Sequence, residues 1–215
     1  MILSKIQFLN GLQCPKILWL EEHKSEVLSA PNVEEKRILR QNMEVRMAAR
    51  NLFVSGKEVV SEQDKNAQVL HTQKLIQQGE SVLYEATFKY QNLLAHVDIL
   101  EIMRNESGTI VGMVIHGITK HTSICAQNGH PALKTYLWDL AVQFYVLAGL
   151  GYSIHDVCLI CLNENYMRCG ALDFTQLFLK SHWLDAITQL QTKIPQLLEE
   201  MSKVIASPTE PKIDI

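Results

Sequence analysis

Residues 81–119 carry three apolar runs in near alternation, and no other stretch limits the fold so tightly. They are "SVLYEATFKY", then "LLAHVDILEIM" after the turn Gln91-Asn92, then "TIVGMVIHGI" after "NESG" (Asn105 to Gly108). Alternation with period two predicts strands, and short polar turns join antiparallel neighbours. The three runs therefore predict an antiparallel meander. "ALKTYLWDLAVQFYVL" (Ala132 to Leu147) then predicts a helix broken by "AGLGY", and "HDVCLICLN" a last strand. A helix between strands carries the chain across a sheet, so the sheet is mixed.

The flanks are helical. Ser4 caps a short helix through Asn10, Gly11 interrupts it, and Pro15 sits in the first turn of the next. A long amphipathic helix spans Val33 to Phe53, and "VSGKEVV" is a turn leading to a short strand. A further helix runs from Asn66 to Gln78 and ends at Gly79. After the last strand come a turn and "DFTQLF", then a helix from His182 to Ile205 that Pro195 kinks or splits. The expectation is an α/β fold: a mixed central sheet flanked by helices, with extra helices at both termini.

At 215 residues the chain is long enough for one sizeable core. A single domain over residues 1–206 and a flexible C-terminal tail over 207–215 are expected. With 47% apolar and 20% charged residues the chain is globular, not disordered. A net charge of −3 counts against a dedicated nonspecific DNA binder, although a local basic groove would not show in the total. The start reads as no signal peptide, and no apolar run reaches the roughly 18 residues of a membrane span. A cytoplasmic protein with no membrane role is the expectation; a secreted effector without a cleavable signal would look the same. Cys14, Cys125, Cys158, Cys161 and Cys169 are odd in number and poorly spaced for a disulfide framework.

Five phrases carry a likeness to a known family: "LSKIQFLNGLQCPKILWL", "NMEVRMAARNLF", "AHVDIL", "DLAVQFYVLAGLGY" and "LICLNENYMRCGALDFTQLF". They stand in order over residues 3–180 or so. On them the chain resembles the PD-(D/E)XK nuclease superfamily, most closely a RecB-like bacterial domain family related to CRISPR-associated RecB-type exonucleases. The resemblance implies a restriction-endonuclease-like core. It also implies a divalent metal, Mg2+ or Mn2+, held by oxygen ligands to activate water and offset charge on a phosphate. Asp98 matches the strand aspartate and Glu44 the acidic residue of the long helix. Gln143 and Tyr145 match the glutamine and aromatic of the crossover helix.

The motif departs from the family on the third strand. Laid on "VIHGITKHTS", the carboxylate position falls on His116 and the lysine position on Ile118, with Thr119, Thr122 and Ser123 echoing hydroxyl residues. Imidazole is a poor replacement for carboxylate on magnesium, and isoleucine transfers no proton. Rescue by Lys120 from the next turn, or by His116 as base, needs Asp98 and His116 on one face. With Arg104 opposite Ile110 across an odd-length loop, an undisturbed ladder sets Asp98 across from His116; with an even loop Asp98 faces Ile115 and the pairing fails. The candidate metal ligands are then Asp98, Glu44 and His116.

Other groupings are weaker. Cys14, Cys158, Cys161 and Cys169 echo the one-early, three-late cysteines of RecB-like iron–sulfur nucleases. Yet "VCLICLN" reads as a buried strand whose residues three apart face opposite ways. His116, His121 and His130 match no trusted ligand spacing. Trp19, Trp138 and Trp183 read as core anchors. Three function classes remain: a catalytically impaired nuclease-fold protein binding nucleic acid or a protein partner; an active metal-dependent nuclease with a migrated site; and a pure protein-interaction module or effector.

Overall fold

The structure, a computed structural model, describes residues 2–60, 64–122, 124–125 and 132–212. Ser123 and His130, named above, lie outside the described residues.

The chain opens with a two-residue strand, β1 (Leu3–Ser4), and helix α1 (Lys5–Gln13). Ser4 starts α1 with a capping box: its side chain takes the Gln7 N–H, and the Gln7 side chain takes the Ser4 N–H. α2 (Pro15–His23) begins on proline, where no N–H is needed. α3 (Val33–Ala49) starts with a second capping box, between Asn32 and Glu35. β2 (Lys57–Glu58) and α4 (Lys65–Gln77) follow, then the meander of β3 (Val82–Tyr90), β4 (Leu93–Arg104) and β5 (Ile110–Thr119). α5 (Leu133–Gly149) crosses to β6 (Ile154–Leu162). The chain closes with α6 (Phe174–Leu177), β7 (Phe178–His182), α7 (Leu184–Leu190) and α8 (Ile194–Ala206).

Among the described residues the sheet has seven strands in the order β2-β3-β4-β5-β6-β7, with β1 paired to the free end of β4. β3, β4 and β5 are antiparallel neighbours, β5 and β6 are parallel, and β7 returns antiparallel to β6. This is the mixed α/β architecture that the hydrophobic pattern predicts. β7 is a departure: "FLKSH" is too short and polar to announce itself, and His182 ends a strand instead of starting a helix. The last helix is split, with Pro195 in the first turn of α8.

The sheet buries both faces. One face meets α1, α4, α5, α7 and α8 in the main core, through Phe8, Ile76, Leu140, Ile187 and Ile194 against Leu83, Val97, Ile115 and Leu159. The other face carries a smaller cluster of Tyr84, Ile99, Ile118, Ile160 and Phe178, covered by Ala49 at the C-terminal end of α3 and by Leu52 in the turn that follows it. Residues 207–212, read from the sequence as part of a loose tail, run back along α2. Ser207 accepts the Trp19 indole N–H at 2.9 Å, and Glu210 pairs with Lys16. Among the described residues no helix is long and apolar enough to cross a membrane.

Two irregularities break the strand alternation. Glu85 has φ +56°, in the left-handed region that non-glycine residues seldom enter. The regular pairing of β3 with β4 runs on either side of it, at Tyr84 with Ile99 and at Ala86 with Val97. Those neighbours consequently divide between the two cores: Val97 lies in the main one and Ile99 in the smaller. A bulge between Met103 and Arg104 shifts the β4–β5 register.

Candidate functional site

Arg104 does pair with Ile110, as the undisturbed ladder requires, but the bulge beside it moves every later pair by one residue. His116 therefore stands opposite Ile99, not Asp98. The expected Asp98–His116 facing pair is corrected on that ground.

Asp98 is only 5% exposed, and both its oxygens are taken. Oδ2 accepts the Ile118 backbone N–H at 3.0 Å, and Oδ1 lies 3.3 Å from the Arg46 guanidinium. The β4–β5 ladder ends at Ile99 and His116, so the Asp98 side chain serves an N–H that the ladder has released. Arg46 rises above its ordinary pKa because Asp98 stands beside it. Glu85 is pushed up, first by burial and then by the charge on Asp98.

Glu44 stays outside this arrangement. It pairs with Arg40 at 3.1 Å on the exposed side of α3. Two helix positions lie roughly 200° apart around the axis, so the face that gives Arg46 to Asp98 turns Glu44 away. Glu44 instead shares a shallow surface hollow with Lys120, whose ammonium donates to Gln41 at 3.2 Å. His116 is fully buried, with Nε2 2.5 Å from Glu101 and its ring 4.8 Å from that of Phe53. Burial holds His116 below its ordinary pKa, and the hydrogen bond from His116 holds Glu101 low. The pair is thus a neutral imidazole donating to a carboxylate.

Gln143 is buried and donates to Asp139 at 2.6 Å. Asp139 in turn pairs with Lys5 at 2.9 Å, and the Lys5 ammonium also donates to the His96 carbonyl at 3.0 Å, two residues before Asp98 on β4. Burial raises the Asp139 carboxyl, against the pull of Lys5. The glutamine thus braces β4 indirectly, through a buried carboxylate and ammonium. Tyr145 packs edge-on against Tyr90 at the β3–β4 hairpin end and takes no part in the Asp98 contacts.

Asp98, Glu44 and His116 do not form one ligand set as placed. Asp98 is committed to a guanidinium and an amide, Glu44 lies on the other side of α3, and His116 is turned to Glu101. A hard divalent ion wants several free oxygens converging on one point, and these residues do not fit it.

The cysteines separate as the buried-strand reading requires. Cys161 points into the main core and Cys158 does not. Cys161 is disulfide-bonded to Cys125, a pairing that the spacing did not announce and that an oxidising compartment would preserve. Cys14 caps α2 and Cys169 is exposed in a loop, so the four cysteines of the iron–sulfur pattern do not assemble. His121 packs against Tyr136, away from the His116–Glu101 pair.

A cleft of about 570 Å³ opens beside the Asp98 partner Arg46, between α3 and the residues of β2, β3, β4 and α4 that face it. Its polar lining is Asn42, Arg46, Arg50, Glu58, Gln68, Glu85 and His96. Arg50 pairs with Glu58 at 3.1 Å and lies 3.5 Å from Glu85. His96 is pushed down to about 4, first by burial and then by Lys5. Sequence reasoning missed Lys5, Arg46, Glu85, Glu101 and Asp139. The only signal available was the charge on a strand or helix face that was otherwise apolar.

No protein-family model matches the chain, and no curated protein matches it. Among solved structures it is similar to an alkaline exonuclease from Laribacter hongkongensis. The identity is 10%, 95% of this chain and 89% of that chain are covered, and the TM-score is 0.49. The order of helix, antiparallel meander, crossover helix and parallel strand gives a mixed α/β sheet flanked by helices.

Proposed function

We propose that this chain is a nuclease-fold protein that has lost metal-dependent phosphodiester hydrolysis and holds a nucleic-acid backbone in the cleft beside Arg46. One observation carries the reading: the strand aspartate is locked by Arg46 and the Ile118 amide, while histidine and isoleucine stand where a carboxylate and a lysine are needed. The same arginine that disables the carboxylate supplies a phosphate contact. Arg46 keeps 43% of its side chain exposed and lines the cleft with Arg50. Guanidinium groups match phosphate oxygens in geometry and keep their charge at every working pH.

A gel-shift titration with single- and double-stranded DNA at rising salt tests the binding. Two phosphate contacts predict a log–log salt slope of about −1.4 to −1.8. Arg46→Ala is expected to weaken binding and flatten that slope, and absence of binding at low salt would remove the reading. A protein partner is the second reading, favoured by Leu39, Met43 and Met47. These stand 59%, 65% and 51% exposed along one face of α3, at a spacing of four residues. These residues also line the cleft, so a co-purifying partner lost on Met43→Ala, from a wild-type chain that binds no DNA at low salt, would support it.

A further inference from the structure

On the sheet face that carries the smaller core, β6 and β7 bring three unlike donors together. Cys158 of β6 lies directly opposite His182 of β7, and Asp156 stands two residues before Cys158 on the same side. The Cys158 Sγ is 3.3 Å from Asp156 Oδ2 and 3.6 Å from His182 Nδ1, and that nitrogen is 2.5 Å from the same carboxylate oxygen. Among the described residues no other group of three or more such side chains converges this closely.

We propose that Asp156, Cys158 and His182 form a binding site for a borderline divalent cation of the zinc class. Zinc bond lengths with tetrahedral angles require ligand atoms roughly 3.3–3.6 Å apart. Two of the three separations already meet that requirement. The third needs the His182 ring to back away by less than 1 Å or so, and with 64% of its side chain exposed it is free to turn. Asp156 is pre-aimed, because its other oxygen accepts the Val157 N–H at 2.8 Å. One thiolate, one imidazole and one carboxylate are a softer set than magnesium takes and suit zinc. His182 is the exposed member of the set and Cys158 the fully buried one.

Binding releases one proton to water, from the Cys158 thiol, while the N–H that His182 shares with Asp156 passes from Nδ1 to Nε2 so that a neutral ring ligates through Nδ1. Burial pushes the metal-free thiol up to about 12, and a coordinating thiol loses its proton outright. Glu101, His116 and Lys180 are the charged and titratable neighbours. Glu101 favours a cation there and Lys180 opposes one. The site is independent of the reading given to the Arg46 cleft.

Titration of the full chain with cobalt(II), the spectroscopic stand-in for zinc, tests it. A thiolate-to-cobalt charge-transfer band is expected, saturating at one ion per chain and discharged by zinc. Cys158→Ser is expected to abolish the band, and His182→Ala, at the exposed edge, to weaken binding at least tenfold. No band from the folded chain would overturn the proposal. So would a band unchanged in Cys158→Ser, which would assign the metal to Cys14 or Cys169. Should Cys158→Ser misfold, unchanged affinity in His182→Ala overturns it equally.

Discussion

Asp98 and Arg46 are tied together, and removing either reveals what the other costs. Asp98→Ala leaves a guanidinium without its carboxylate and the Ile118 N–H without an acceptor. A loss of about 2–3 kcal/mol is expected, read from urea denaturation, after allowance for the exposure of Arg46. Glu44→Ala is expected to leave the urea midpoint where it was, since Glu44 is largely exposed and its partner Arg40 still more so. Asp98 was legible in the sequence through the phrase "AHVDIL", an acid set in a mostly apolar strand. Arg46 was not, because choosing between it and Glu44 requires knowing which side of α3 meets the sheet.

His96 sets the acid limb of the stability curve. Its folded value, about 4, lies below the ordinary 6.5, so below pH 6.5 the unfolded chain takes up the proton that the folded chain refuses. The contribution is complete above pH 6.5 and is lost as pH falls towards 4. The low values of Glu101 and His116 act in the same direction, and the raised value of Glu85 acts in the opposite one. His96→Gln is expected to remove about 2–3 kcal/mol of the difference in unfolding free energy between pH 7 and pH 4. An unchanged pH slope in that variant would contradict the assignment.

Elements are held to the sheet by buried polar ties as well as by apolar packing. Lys5 docks α1 against α5 through Asp139, and Gln143 holds the same carboxylate. Lys5→Met strands that carboxylate and is expected to cost about 3 kcal/mol in chemical denaturation. Adding Asp139→Leu is expected to restore most of it, because a pair removed whole leaves no buried charge behind. The disulfide between Cys125 and Cys161 closes a loop of 36 residues, and Cys125→Ala is expected to lower stability by about 2–4 kcal/mol, a loss that reductant alone should reproduce. Strands β3, β4 and β5 could be read from alternation, and α5 from its length and apolar face. The bulge at Met103 and Arg104 could not, since it changes no residue pattern but moves the facing residue by one place. β7 was hidden because five residues with a lysine and a serine carry too little pattern.

For the whole molecule, the same sheet carries two distinct polar centres. One lies where β4 and β5 part at Asp98, the other where β6 and β7 run side by side at Cys158. The resemblance led to the first through Asp98 and Gln143. Of the second it offered Cys158 alone, within an iron–sulfur set that does not assemble, and the histidine is supplied by a strand that the sequence did not reveal.

The most direct test of the account is an incubation of the wild-type chain with linear single- and double-stranded DNA in Mg2+ and in Mn2+, with binding measured in the same samples. DNA that is bound in a salt-dependent way through Arg46 and Arg50, yet remains uncut in both metals, is the predicted result. Metal-dependent cleavage that disappears in Asp98→Ala would contradict it, since that carboxylate would then have to leave its arginine and hold an ion.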